Sequence, residues 1–104
     1  MVDKAWKRHE RNTARSLGTV RTPLSGKASR HTSSDVIHPS LYVECKYRRH
    51  LAVATWLDEA TQHAKEERKT AILALRQSGR AGAIAVMSWD TFLKLLSHTE
   101  GNKT

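Results

Sequence analysis

Glu44 and Lys46 stand two residues apart in Leu-Tyr-Val-Glu-Cys-Lys-Tyr-Arg, Leu41–Arg48. The alternation of that stretch predicts a β-strand, along which side chains point to opposite faces in turn. Tyr42, Glu44, Lys46 and Arg48 then share one face, and Leu41, Val43, Cys45 and Tyr47 the other. At ~3.3 Å rise per residue, Glu44 and Lys46 sit about 7 Å apart along the strand. A carboxylate able to hold a cation, beside an ammonium able to hold a phosphate or a water, suits phosphodiester chemistry. The plainer alternative is a same-side ion pair on a solvated face. Asp35-Val36-Ile37-His38 predicts a second strand, turned at Pro39-Ser40 into the first. An antiparallel pair joined so tightly brings Asp35 close to Glu44. Two hard oxygen ligands open to solvent suit a magnesium ion that keeps several waters.

A third carboxylate comes from the helix predicted over residues 3–17. Asp3 can cap it, and Trp6, Ala14 and Leu17 recur at helical spacing. Glu10 lies on that apolar stripe, either paired to a neighbouring arginine at its edge or pointed inward at a site. Lys7, Arg8, Arg11, Asn12 and Arg15 form the opposite face, and Gly18 ends the helix.

The other elements must position these groups. Residues 19–24 suit a short strand. Residues 25–34 form a polar loop carrying Lys27, Arg30 and His31, which fits a flexible surface loop and equally a basic loop touching a phosphate backbone. Residues 51–68 predict a helix that buries Val53, Trp56, Leu57, Ala60 and Ala64. Its charged run, Glu66 and Glu67 included, lies on or near the solvent side. Residues 70–75 and 83–87 are continuous apolar runs that suit strands buried on both faces, and the glycine-containing segment 76–82 turns the chain between them. Residues 89–96 predict a last helix with Phe92, Leu93 and Leu96 inside and Ser88 or Asp90 at its start. Residues 97–104 read as a frayed polar tail. The simple solution is an α/β fold: a mixed central β-sheet flanked by helices.

The chain has 104 residues, enough for one domain over 1–104 with a small core. It carries 18 Lys+Arg against 10 Asp+Glu, a net charge of +8, with +7 in residues 1–50 and only +1 in 51–104. The basic surface therefore belongs to the half that holds Glu44 and Lys46, and it favours a polyanion such as nucleic acid. Cys45 is the only cysteine, which excludes an internal disulfide and a cysteine-based metal framework. The six histidines lack zinc spacing. No apolar run approaches a membrane span, no signal peptide opens the sequence, and no internal repeat is present. A soluble, cytoplasmic protein without a small-molecule cofactor is the expectation.

Glu10 in the first helix, Ser25-Gly26 in the loop, Asp35-Val36-Ile37 and Val43-Glu44-Cys45-Lys46 together resemble the restriction-endonuclease-like nucleases whose motif is written PD-(D/E)xK. More narrowly, the order is similar to that of the archaeal-type Holliday-junction resolvases, which viruses also carry. The resemblance spans about Trp6 to Leu96, with Ser34 standing where the motif has proline. It implies a restriction-endonuclease-like core and a metal-dependent endonuclease that resolves four-way DNA junctions. Glu10, Asp35 and Glu44 would bind Mg²⁺, with Mn²⁺ as a substitute and the carbonyl of Val43 or Cys45 assisting. Lys46 would activate the attacking water or steady the phosphate, and Ser25 would contribute from its loop. Lys7, Arg8, Arg11, Arg15, Lys27, Arg30, Arg48 and Arg49 would contact the DNA backbone without reading sequence. Two symmetric cuts imply a homodimer. Two other readings remain open: a same-fold nuclease acting on other branched, nicked or duplex DNA, and a basic DNA-binding module without catalysis.

Overall fold

The computed structural model describes residues 4–23 and 32–101. The Asp3 cap and most of the basic loop, with Ser25, Lys27, Arg30 and His31, lie outside the described residues. The described elements are α1 (Ala5–Ser16), β1 (Leu41–Arg48), α2 (Val53–Glu67), β2 (Thr70–Gln77), β3 (Ile84–Val86) and α3 (Trp89–Gly101). They form an α/β arrangement of three helices and a three-stranded mixed sheet in the order β1-β2-β3. β1 pairs parallel with β2 from Leu41↔Thr70 to Arg48↔Gln77. A parallel pair needs a crossover, and α2 supplies it. β3 pairs antiparallel with β2.

β2 is covered on both faces, which fits its apolar run from Ala71 to Leu75. On one face Tyr42, Ala71, Leu73 and Leu75 pack with Ala60 and Ala64 of α2, and Val53, Trp56 and Leu57 border them, as their helical spacing predicts. On the other face Val43 and Cys45 pack with Ala14 of α1 and Val36. Leu73 is 0% exposed, so Leu73→Ala would cost about 2–5 kcal/mol.

Helix ends follow local chemistry. Gly18 adopts φ 73° after α1, letting the Gly18 and Thr19 amides donate to the Arg15 and Ala14 carbonyls. Ser88 caps α3 through its hydroxyl, which accepts the Thr91 amide at 3.1 Å.

Several expectations are corrected. The strands expected at 19–24 and 35–38 reduce to one antiparallel bridge, Arg21↔Val36. The side chains of Ser34 and Asp35 take β1's backbone groups themselves, in place of a main-chain ladder. α1 does not bury Trp6 and Leu17, which are 41% and 38% exposed. Small residues face the sheet instead, and His9 Nε2 reaches the Ala74 carbonyl at 2.7 Å. Residues 83–87 are not a doubly covered strand: β3 has three residues, with Ala85 exposed. So short a strand offers α3 little sheet to cover. Phe92, Leu93 and Leu96, expected inside, are exposed, and the helix continues to Gly101 through most of the expected tail.

Candidate active site

β1 is an edge strand, and its outer side receives residues 33–37. Four bonds to the backbone of β1 fasten them. The Asp35 amide donates to the Val43 carbonyl at 2.9 Å. The Ser34 hydroxyl accepts the Val43 amide at 2.8 Å and donates to the Val43 carbonyl at 3.0 Å. Asp35 Oδ2 accepts the Cys45 amide at 2.7 Å. Asp35 thus comes to the strand that carries Glu44 and Lys46.

These groups line an open cleft of about 290 Å³, which Trp6, Glu10, Tyr47 and Arg48 also border. Lys46 Nζ lies 3.4 Å from Glu44 Oε1 and 5.6 Å from the centroid of the Trp56 ring. The Glu44–Lys46 ion pair anticipated as the plain alternative is therefore present. Its partners are nonetheless well covered, at 25% and 19% side-chain exposure. Glu10 lines the cleft from α1, with Oε1 held by Arg21 at 2.9 and 3.1 Å. Glu10 is both partnered by an arginine and turned toward the cleft.

Charge in the cleft is only partly offset. Burial, with the Glu44 charge next, raises the Asp35 pKa to about 6 against the pull of the Cys45 amide and Lys46. Burial and then the Asp35 charge raise Glu10, opposed by Arg21. Burial and Asp35 push the Cys45 thiol up to about 12. That thiol is buried among the α1-face residues, so any ligand from Cys45 is its carbonyl. The Cys45 amide leaves β1 on the outer edge, and in an extended strand the carbonyl of the same residue leaves on the same side. The Val43 carbonyl already accepts two donors.

Among the described residues, no three His, Cys, Asp or Glu side chains group closely enough to enclose a metal. Glu10, Asp35 and Glu44 share a cleft without converging on one point. The donor set that fits a metal is narrower: the Asp35 and Glu44 carboxylates with the Cys45 carbonyl. All are hard oxygens, and the buried Asp35 carboxylate, whose charge Glu44 opposes, gains from a divalent cation. Few protein ligands and open access to water suit Mg²⁺.

The basic residues surround this site unevenly. Arg48 borders the cleft, and Arg49 is exposed just after β1. Lys7 Nζ lies 5.5 Å from the centroid of the Trp6 ring. Arg8 helps line a neighbouring hollow of about 270 Å³ with Tyr47 and Arg76. Arg11 is half-buried and Arg15 exposed. Ser25, Lys27 and Arg30 lie outside the described residues.

Sequence reasoning missed Arg21, Ser34, Trp56 and Glu67 as parts of the site's support. Glu67 ends α2 and binds the Thr32 hydroxyl, the Ser33 amide at 2.9 Å and the Ser33 hydroxyl at 3.0 Å. Ser33 Oγ also meets the Tyr42 hydroxyl at 2.8 Å. The run Thr32-Ser33-Ser34 before Asp35 was the available signal, since short hydroxyl side chains bond nearby backbone.

No protein-family model matches the chain, and no curated protein or solved structure matches it either.

Proposed function

We propose that this chain is a metal-dependent, structure-selective DNA endonuclease with a restriction-endonuclease-like core, similar to the archaeal-type Holliday-junction resolvases and acting on four-way junctions. The observation that carries the reading is the meeting of Asp35, Glu44 and Lys46 in one open cleft at the outer edge of β1. Residues from separate parts of the chain are brought together there at a cost in charge, seen in the raised Asp35 pKa. Perturbed carboxylates in a cleft are a physical mark of a functional site.

Asp35, Glu44 and the Cys45 carbonyl would hold Mg²⁺ or Mn²⁺. When bound, the cation acidifies a water and offsets charge on the scissile phosphate. Lys46, partly desolvated against Trp56, donates hydrogen bonds to the water oxygen or to the phosphate oxygen that gains charge. A water oxygen gives up a proton to solvent as it bonds to phosphorus, the bond to the leaving sugar oxygen breaks, and the leaving oxygen takes up a proton from solvent. Arg21 fixes Glu10 at the cleft wall, where its charge adds to the site's field. Arg8, Arg48 and Arg49 meet the DNA backbone, a contact that positions DNA without reading bases.

One observation favours a second reading. Glu44 pairs with Lys46, and Glu10 with Arg21, so the acidic groups serve equally as internal partners in a basic DNA-binding module.

The test is cleavage of a labelled immobile four-way junction beside a linear duplex of the same sequence, with Mg²⁺. Paired symmetric nicks near the branch point, absent from the duplex, are expected. Equal cutting of both substrates would remove the junction preference. Tight binding without cutting under any divalent metal would leave the binding module.

A further inference from the structure

The proposed chemistry leaves Trp6 without a role. Trp6 stands one helical turn before Glu10 on α1, and both residues border the same cleft. The core does not claim it. The α1 residues buried against the sheet are His9 and Ala14, and Trp6 stays 41% exposed. Most of the remaining wall is charged: Glu10, Asp35, Glu44, Lys46 and Arg48. A large aromatic face therefore opens onto a cleft otherwise built for ions. Lys7 Nζ stands 5.5 Å from the centroid of the Trp6 ring, so a cation lies beside that face as well.

An aromatic face set among cations is the combination that binds an unstacked nucleotide. The cations take the backbone and the ring takes the base. Here the cations are Lys7 and Arg48, in a chain of net charge +8. Inside a duplex each base lies between its neighbours, and both of its faces are closed. Only a nucleotide at a branch, at a flap or in a single strand presents a face to Trp6. Stacking is tolerant of base identity because every base has a π-face, so such a contact senses an opened strand and not a sequence.

We propose that Trp6 is a stacking platform for one unpaired nucleobase beside the Asp35–Glu44–Lys46 cleft. The proposal rests on the nuclease reading for its occupant, DNA, and deepens it by naming what the cleft senses at a branch. Lys7 carries its charge on a flexible stem, so the ammonium leaves the ring for the adjoining phosphate when a base arrives.

The test is binding in a metal chelator, which keeps Mg²⁺-dependent cutting out of the measurement. A dye-labelled single-stranded oligonucleotide of mixed sequence, and the blunt duplex of the same sequence, are titrated with the full chain. Wild type, Trp6→Leu and Trp6→Phe are compared by anisotropy and by tryptophan emission. Leucine keeps apolar bulk without an aromatic face; phenylalanine keeps a face without the indole. Wild type should bind the single strand with quenched emission. Trp6→Leu should weaken single-strand binding ~10-fold or more and leave duplex binding unchanged. Trp6→Phe should recover most of the affinity and lose most of the quench, although Trp56 and Trp89 remain. Unchanged single-strand binding in Trp6→Leu overturns the proposal and leaves the nuclease reading standing. An equal loss on both DNAs also overturns it, as does a quench that survives in Trp6→Phe, which is informative even if Trp6→Leu does not fold. A chain that binds neither DNA overturns both readings. The expected stacking, without cutting of a four-way junction in Mg²⁺, would keep the platform and remove the nuclease.

Discussion

Asp35 Oδ2 accepts the Cys45 amide at 2.7 Å, so the first carboxylate of the cleft is fastened to the strand that carries the second. That bond holds a charge where burial and Glu44 both oppose it, and the Asp35 pKa rises to about 6. A group whose pKa is raised by folding stabilises the fold below its unfolded value, and loses that contribution as pH rises through its folded value. For Asp35 the loss falls between about 3.8 and about 6. Asp35→Asn keeps an acceptor for Cys45 without the charge. In a metal chelator, the variant should gain on wild type by about 1–3 kcal/mol as pH rises through that window. Thermal melts of both proteins across pH read it directly, and a pH-independent gap would count against the strained carboxylate.

Metal and proton compete for the same carboxylate. At limiting Mg²⁺, cleavage should fall as pH drops below about 6, and its midpoint should move to lower pH as Mg²⁺ is raised. Single-turnover rates over a grid of pH and Mg²⁺ test this. A midpoint that ignores Mg²⁺ would take Asp35 out of the metal set.

Lys46 lowers the Asp35 pKa and pairs with Glu44. Lys46→Ala should reduce cleavage ~10²–10⁴-fold with DNA binding nearly unchanged, and should shift the acid limb of the pH profile upward. Lys46→Arg keeps a positive charge, so it should retain the wild-type pH limb while recovering little of the rate. A common loss of binding and rate in both variants would make Lys46 a DNA contact only.

Glu67 lies outside the cleft yet holds the segment that presents Asp35, through Thr32 and Ser33. Burial disfavours its charge, but the bonds from Thr32, Ser33 and Lys69 outweigh that and carry its pKa below the ordinary 4.5. The stabilisation is therefore present above about 4.5 and lost as pH falls. Glu67→Ala should cost about 1–3 kcal/mol at neutral pH, less in acid, and should raise the Mg²⁺ concentration needed for half-maximal cleavage. Denaturant titration at two pH values, paired with a Mg²⁺ titration, separates fold from site. A stability loss with an unchanged Mg²⁺ requirement would confine Glu67 to the fold.

The parts of this molecule legible in sequence are those in which one local pattern decides. Alternation in Leu41–Arg48 and 3.6-residue spacing in α2 both give the observed elements, because each buries its face on the nearest layer. The course of residues 33–37 was not legible: hydroxyl and carboxylate side chains replace the ladder of a regular strand, and periodicity does not register that. Glu67 looked like solvated charge because Thr32 and Ser33, which it holds, are 35 and 34 residues away in sequence. Trp6 and Phe92 showed apolar spacing, but spacing identifies a face and not what covers it. In α1 small residues took the sheet, and in α3 no sheet remained to take.

The most direct measurement is single-turnover cleavage of a four-way junction by wild type and Asp35→Asn, with and without Mg²⁺. The account predicts nicking by wild type only with Mg²⁺, and a loss of ~10³-fold or more in the variant while junction binding persists. Nicking that survives in Asp35→Asn, or proceeds in a chelator, would contradict it.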